Sequence, residues 1–288
     1  MRALADYAMR GRRQAVLAAF LSGLIPLVNT VLSPALVGLV ILRHGWQEGL
    51  KVLAWAILPA IAWAVIGDLA HIAVLLGVVV LAVVLRQTGS WQVTLLVSML
   101  VGVFAELVLK LNPAFVDALQ QQLTVMMNSA EMQAQMGGQE IPDMRVLLSS
   151  LFGVMSMTLS LTLLMLARWW QAQLYNPGGF GREFRQVRLS YKVSSLLLLM
   201  FLLANFGAPV LQGWVMYFLL PLFFAGLALV HGVVEIRQIP RFWLIMFYLL
   251  LLSPLLVQLV TLAAVMDSWY DFRARLGGSN HGNKPNNE

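Results

Sequence analysis

Long apolar runs, almost free of charge, recur along this chain. Leu53–Ile66, Ile72–Leu85, Val93–Leu109 and Leu244–Val265 are the clearest. Roughly 20 apolar residues are needed to cross about 30 Å of hydrocarbon as a helix. Lipid satisfies no exposed backbone group, so only helices and closed barrels can cross it. A barrel would show alternating segments of about 10 residues, and these runs do not alternate. The pattern predicts an all-α, polytopic transmembrane helical bundle. Composition agrees: 60% of the 288 residues are hydrophobic and 11% are charged. A soluble globular chain carries roughly 25% charged residues, so too little polar surface remains here to cover a water-soluble particle.

The formal net charge of +6 would raise nucleic acid in a soluble protein. In a membrane protein, Lys and Arg mark the cytoplasmic loops instead, so no nucleic-acid partner is expected. The chain has no cysteine, which excludes disulfides, thiolate catalysis and Cys-based metal sites. Its N-terminus is basic and then apolar, as in a signal peptide. No convincing small-residue cleavage site follows, and the run is read as a retained anchor.

The expected membrane segments are about 14–43, 50–67, 70–86, 91–110, 145–170, 190–207, 210–233 and 241–267. The first is too long for one ordinary span and contains Pro26 and Pro34. If it crossed once, 9 Lys/Arg would lie on the N-terminal side and 10 opposite; as a broken hairpin it gives 14 against 5. Orientation follows Lys and Arg, so the hairpin is expected, with about seven full spans after it. Each arm has about 14 residues, or roughly 21 Å of helix, which suits a re-entrant or tilted pair. The N-terminus is then cytoplasmic and the C-terminus lies on the other side of a bacterial inner membrane. Most tryptophans, among them Trp46, Trp91, Trp169, Trp170, Trp214, Trp243 and Trp269, fall near expected span ends, as interfacial aromatics do. Residues 1–13 form a basic N-terminus, 14–270 the transmembrane domain, and 271–288 a disordered tail.

Two loops are more than connectors. In the outer loop 112–144, Leu119, Leu123, Met126 and Ala130 recur at helical spacing and predict an amphipathic helix. In the basic inner loop 168–192, Asn176–Gly181 is a turn cluster. The segment from Arg182 to Lys192 follows it. On a helix there, Phe184, Val187 and Tyr191 share one face, as in a basic helix lying on an anionic leaflet. Gly178, Gly179, Arg182, Arg185 and Arg188 are therefore candidates for lipid or partner docking. The glycines match neither the P-loop nor the dinucleotide pattern, so a structural turn or docking role is favoured over phosphate binding.

Polar residues inside spans are functional candidates by default. Asn29, Thr30 and Ser33 sit at the hairpin break, where freed backbone groups can build a binding site near the bilayer centre. Glu106 and Gln258 are further substrate-binding candidates, and Ser253 and Thr261 lie near Pro254. The competing reading is interhelical hydrogen bonding that merely holds the bundle. Glu106 can pair with Lys110, and Asp68 can cap the helix that carries His71. His231 and Glu235 are spaced by four, but a third metal ligand is not evident. No cofactor or metal is expected. No hydrolase triad can be assembled, and neither Gly-x-Ser-x-Gly nor His-Glu-x-x-His occurs, so an enzyme is not expected.

The stretch Ala167–Arg185, most specifically Tyr175-Asn176-Pro177-Gly178-Gly179-Phe180, resembles the YybS-like family of uncharacterised bacterial membrane proteins. The resemblance extends over about 12–266. That family has been likened to the substrate-binding components of energy-coupling-factor transporters. The resemblance thus implies a small-molecule ligand and a partner transmembrane and ATPase module. It implies that Ala15 and Ala19 make a helix contact with such a partner. The long loop 112–144 departs from a compact six-helix component. The expectation is a solute-binding or transport component without its own ATPase; the alternative is a membrane scaffold or regulator that docks a partner through the basic loop.

Overall fold

The computed structural model describes residues 2–112, 116–117, 120–121, 144–206, 213–240 and 242–278. Every regular element among them is a helix. The chain forms two compact units, Met1–Asn176 and Pro177–Glu288.

The first unit holds α1 (Arg2–Met9), α2 (Arg12–Leu24), α3 (Asn29–His44), α4 (Trp46–Val65), α5 (Leu69–Thr88), α6 (Trp91–Lys110) and α7 (Met144–Tyr175). The helix breaks between α2 and α3 at Ile25-Pro26-Leu27-Val28. Proline removes a backbone donor and clashes with the preceding turn. Leu27 takes a φ of 67°, a left-handed conformation rare for a leucine. Side-chain contacts show that α2 and α3 run in opposite directions. Arg12, at the start of α2, bonds Glu48 at 3.0 Å, just beyond the end of α3. Trp63 Nε1, at the far end of α4, donates to the Gly23 carbonyl at 2.9 Å. The α2–α3 pair therefore leaves and returns to one end of the unit, as the charge count predicts.

The same end collects Arg43, Lys51, Arg86 and Arg168. Arg86 donates to the Leu42 carbonyl. Gln171 donates to the same oxygen at 3.1 Å, and the Arg43 guanidinium lies 3.9 Å over the Tyr175 ring. The opposite end holds Lys110 and Arg145. α1 packs at the basic end with Ala5 and Ala8 buried. Of the tryptophans expected at the interface, Trp91 and Trp170 are buried and fill the core instead, whereas Trp46, Trp243 and Trp269 are exposed.

The second unit holds α8 (Gly179–Arg185), α9 (Tyr191–Phe206), α10 (Val215–Ile236), α11 (Phe242–Leu250), α12 (Pro254–Tyr270) and α13 (Phe272–Gly278). Here the expected single span 241–267 is corrected. α11 and α12 meet at a 114° bend. Ser253 is extended, as the residue before a proline tends to be, and Pro254 cannot donate into α11. The bend reverses the chain. Gly226 of α10 faces Val260 of α12, and Gly232 faces the Arg185 carbonyl and the Arg273 side chain. The two helices thus run side by side toward one end. α11 starts at that end and α12 comes back to it.

Among the described residues five helices are long and apolar enough to cross a membrane, or six spans if the bent α11–α12 pair counts as one: Trp46–Val65, Leu69–Thr88, Trp91–Lys110, Arg145–Tyr175 and Val215–Ile236 are the five. Asn29–His44 and Tyr191–Phe206 are shorter apolar helices, so the seven full spans expected are not all found. The C-terminal placement also changes. Arg273 donates to the carbonyls of Arg185 and Val187 at 2.5 and 2.9 Å. The end of α12 and the start of α13 therefore lie at the same end of this unit as 182–192, not opposite. Residues 271–276 belong to this packed end rather than to a disordered tail. Residues 279–288, and the amphipathic helix expected from Leu119, Leu123, Met126 and Ala130, lie outside the described residues.

Candidate functional site

In the first unit the break between α2 and α3 is surrounded by buried polar groups. Asn29 is the first residue of α3; its amide donates to the Ile25 carbonyl at 2.9 Å, and those of Val31 and Leu32 to the Val28 carbonyl at 3.0 and 2.9 Å. Asn29 Oδ1 accepts from the Thr30 amide at 2.7 Å and from Thr30 Oγ1 at 3.1 Å. Asn29 and Ser33 are buried, and Thr30 is half-buried. Ser33 lies one turn further on, and its Oγ has no hydrogen-bond partner.

His71, on α5, lies against the end of α2 at Gly23. It is fully buried, and neither ring nitrogen has a hydrogen-bond partner. Gly23 explains how the ring is covered. A β-carbon there would lie 2.8 Å from Pro59 Cγ and 3.4 Å from His71 Cε1, so only glycine lets α2 approach both. Asp68 caps α5 by accepting from the Ala70 amide at 3.1 Å, as its position predicts. Sequence reasoning placed His71 beside a turn and missed its burial, because the covering group is a glycine 48 positions earlier.

Uncompensated burial of polar groups costs roughly 1–3 kcal/mol each on mutational scales. Ser33 and His71 are therefore poor choices for mere adhesion. They place a hydroxyl and an imidazole without hydrogen-bond partners in the interior of this unit.

The other candidates are dispersed. Glu106 is buried and bonds Lys110 at 2.6 Å, as its spacing predicts. Gln258 belongs to the second unit and is exposed on α12. His231 bonds Tyr248 Oη at 2.8 Å, whereas Glu235 lies 3.7 Å from Arg185. Among the described residues no group of three His, Asp or Glu could hold a metal ion. A cleft of about 390 Å³ opens at the basic end of the first unit, lined by Arg12, His44 and Glu48 among others. Ala15 and Ala19 are buried within this unit, where α2 packs on α3 and α4. They present no surface to a partner.

The basic loop also departs from expectation. α8 ends at Arg185, and 187–190 are not helical. Phe184, Val187 and Tyr191 therefore share no single helix face. Gly178 adopts a left-handed turn with φ 79° just before α8, and Arg182 is exposed. Arg188 is turned inward: it donates to Asp271 Oδ2 at 2.5 Å and to the carbonyls of Asp267 and Ser268 at 2.8 and 3.2 Å. Arg273 lies 3.1 Å from Asp267, which is itself buried. Burial lowers the Arg273 guanidinium below its usual value, against the opposing pull of Asp267. Arg185 and Arg188 thus fasten this end of the unit, leaving Arg182 as the exposed member of the docking triplet.

The long apolar helices and the buried polar break define a class, the helical membrane proteins. No family model, no curated protein and no solved structure matches the chain.

Proposed function

We propose that this chain is a multi-pass inner-membrane protein that binds a small polar solute at the α2–α3 break, as a transport component without its own ATPase. One observation carries the reading: Ser33 Oγ and both nitrogens of His71 are buried without partners beside a broken helix. Broken helices are a recurrent way to build solute sites inside a bilayer. Asn29 and Thr30 supply further hydrogen-bonding groups at the same helix start. Lys and Arg favour the cytoplasmic side. Within the first unit this puts Arg12, Arg43, Lys51 and Arg86, and with them the N-terminus, in the cytoplasm. The break then faces the other compartment. A partner that couples transport to ATP would engage a surface other than Ala15 and Ala19.

Ligand-induced thermal stabilisation of the purified protein against a panel of polar metabolites tests this. A stabilising compound should lose its effect in Ser33→Ala and His71→Gln and keep it in Arg182→Ala. Because Ser33 Oγ has no partner to lose, Ser33→Ala should leave the unliganded protein as stable as wild type or slightly more so. No stabilising compound, together with a loss of more than about 1 kcal/mol in Ser33→Ala, would argue that the hydroxyl serves the fold. The alternative, a scaffold docking through the basic loop, now rests on exposed Arg182 and the Gly178 turn. A co-purifying protein lost in Arg182→Ala would favour it.

A further inference from the structure

We propose that the cleft at the basic end of the first unit is a binding site for an anionic phospholipid, held by its phosphate group. The cleft lies at the start of α2, whereas the break lies beyond its end. It is therefore a separate site from the one proposed for a solute.

The cleft exists because the corner between α1 and α2 is built of small residues. Ala8, Gly11 and Ala15 line it, together with Val40 of α3 and Val52 of α4. Ala8, Ala15, Val40 and Val52 are each no more than 3% exposed, so they form an apolar floor. The space is about 390 Å³, which falls among small-molecule sites of about 300–1,000 Å³.

The rim is charged: Arg10, Arg12, His44 and Glu48 line the same cleft. Gly11 is extended between the two arginines, and residues two apart on an extended backbone point to one side. Among the described lining residues Glu48 is the only acid, and it is shared. Arg12 approaches it at 3.0 Å and Lys51 at 2.6 Å. Arg10 pairs with Asp6 at 2.9 Å along α1. Arg2, Arg10, Arg12, Arg13 and Lys51 thus share two carboxylates, Asp6 and Glu48. These pairs are exposed and weak, whereas arginine takes a phosphate through two parallel hydrogen bonds.

Depth selects a lipid over a soluble anion. Trp46 starts α4 between His44 and Glu48 and is 52% exposed. Exposed tryptophans at span ends sit at headgroup level, so the rim lies at the depth of lipid phosphates. Ala15, Val40 and Val52 each lie about one helical turn further into the bilayer than Arg12, His44 and Glu48. A soluble anion would use the rim alone. An amphiphile uses the rim for its phosphate and the floor for its glycerol and first methylenes. Basic pockets between transmembrane helices hold anionic headgroups in this way.

Native mass spectrometry of the purified protein, titrated with phosphatidylglycerol, phosphatidylcholine and glycerol phosphate, tests this. Phosphatidylglycerol should bind at least about fivefold more tightly than zwitterionic phosphatidylcholine. Arg10→Gln and Arg12→Gln should each weaken it about fivefold. Arg237→Gln, at an exposed arginine of the second unit, should leave it unchanged. Glu48→Gln should tighten it, because Arg12 and Lys51 are then left to the phosphate; arginines that only held the fold would give no such gain. Equal affinity for the two lipids, equal losses in all three arginine variants, or no tightening in Glu48→Gln would overturn the proposal. Glycerol phosphate bound as tightly as phosphatidylglycerol would also overturn it, since the apolar floor would then contribute nothing.

Discussion

Asp267 offers the sharpest energetic test of how the second unit is fastened. Its side chain is 1% exposed and lies 3.1 Å from Arg273, which is 13% exposed. Arg188 Nε is 3.9 Å away, and the other carboxylate oxygen accepts from the Phe272 amide at 3.0 Å. Asp267→Ala removes the counter-charge of a buried guanidinium and the acceptor that turns the chain into α13. Removing one partner of a buried ion pair costs about 3–5 kcal/mol. Arg273 keeps some exposure and retains two carbonyl acceptors, so the lower part of that range, about 3 kcal/mol, is expected. Asp267→Asn keeps an oxygen for the Phe272 amide and loses only the charge, and should fall between Asp267→Ala and wild type. Arg12→Ala is the internal comparison. That arginine pairs with Glu48 at 57% and 35% exposure, and exposed pairs contribute about 0–1 kcal/mol. Denaturant unfolding in detergent, followed by tryptophan fluorescence, measures all three. If Asp267→Ala and Arg12→Ala cost the same, the inward-turned cluster does not hold this end together.

Three further substitutions have defined outcomes. Burial would raise the Asp271 carboxyl, but the Ala274 amide and the Arg188 guanidinium outweigh it and hold the group below its usual value. Its contribution is therefore complete above the unfolded range, near about 3.9, and is lost as pH falls through the lowered folded value. Wild type and Asp271→Asn should differ in melting temperature at neutral pH and converge in acid. Gly226→Leu should destabilise by about 1–3 kcal/mol, because a β-carbon there meets the Val260 carbonyl and side chain. Gly89→Ala meets no neighbouring atom. It carries only the cost of its left-handed φ of 61°, about 1–2 kcal/mol. The same unfolding measurement separates the two.

The two hairpins differ in how far they could be read from sequence. α2–α3 was legible because its run is too long for one span and carries two prolines. Paired basic clusters at Arg10–Arg13 and Arg43–Lys51 also flank it. α11–α12 was not legible. Residues 241–267 have the length of a single span, Pro254 is compatible with a simple kink, and no charge marks the reversal. The cost of missing it is visible in the charge count. Arg273 and Arg275 were placed opposite the basic loop, whereas Arg273 bonds the carbonyls of Arg185 and Val187. The basic loop was misread for a related reason. Its arginines look like a solvated face in sequence, and only the fold supplies Asp267, Asp271 and Glu235 as their partners. At the break, Asn29 and Ser33 stood out as polar residues in an apolar run. His71 did not, since its significance comes from the ring being buried under Gly23 and Pro59.

The topology can be measured directly. Each hairpin should return to the end it leaves, so that both flanks of α11–α12 lie on one side of the membrane. Cysteines at Gln238 and Arg275, introduced singly into the cysteine-free chain, should both resist a membrane-impermeant thiol reagent in intact cells. Both should react once the membrane is opened. Protection at Gln238 with labelling at Arg275 in intact cells would show that 242–270 crosses the membrane, and would contradict the re-entrant architecture.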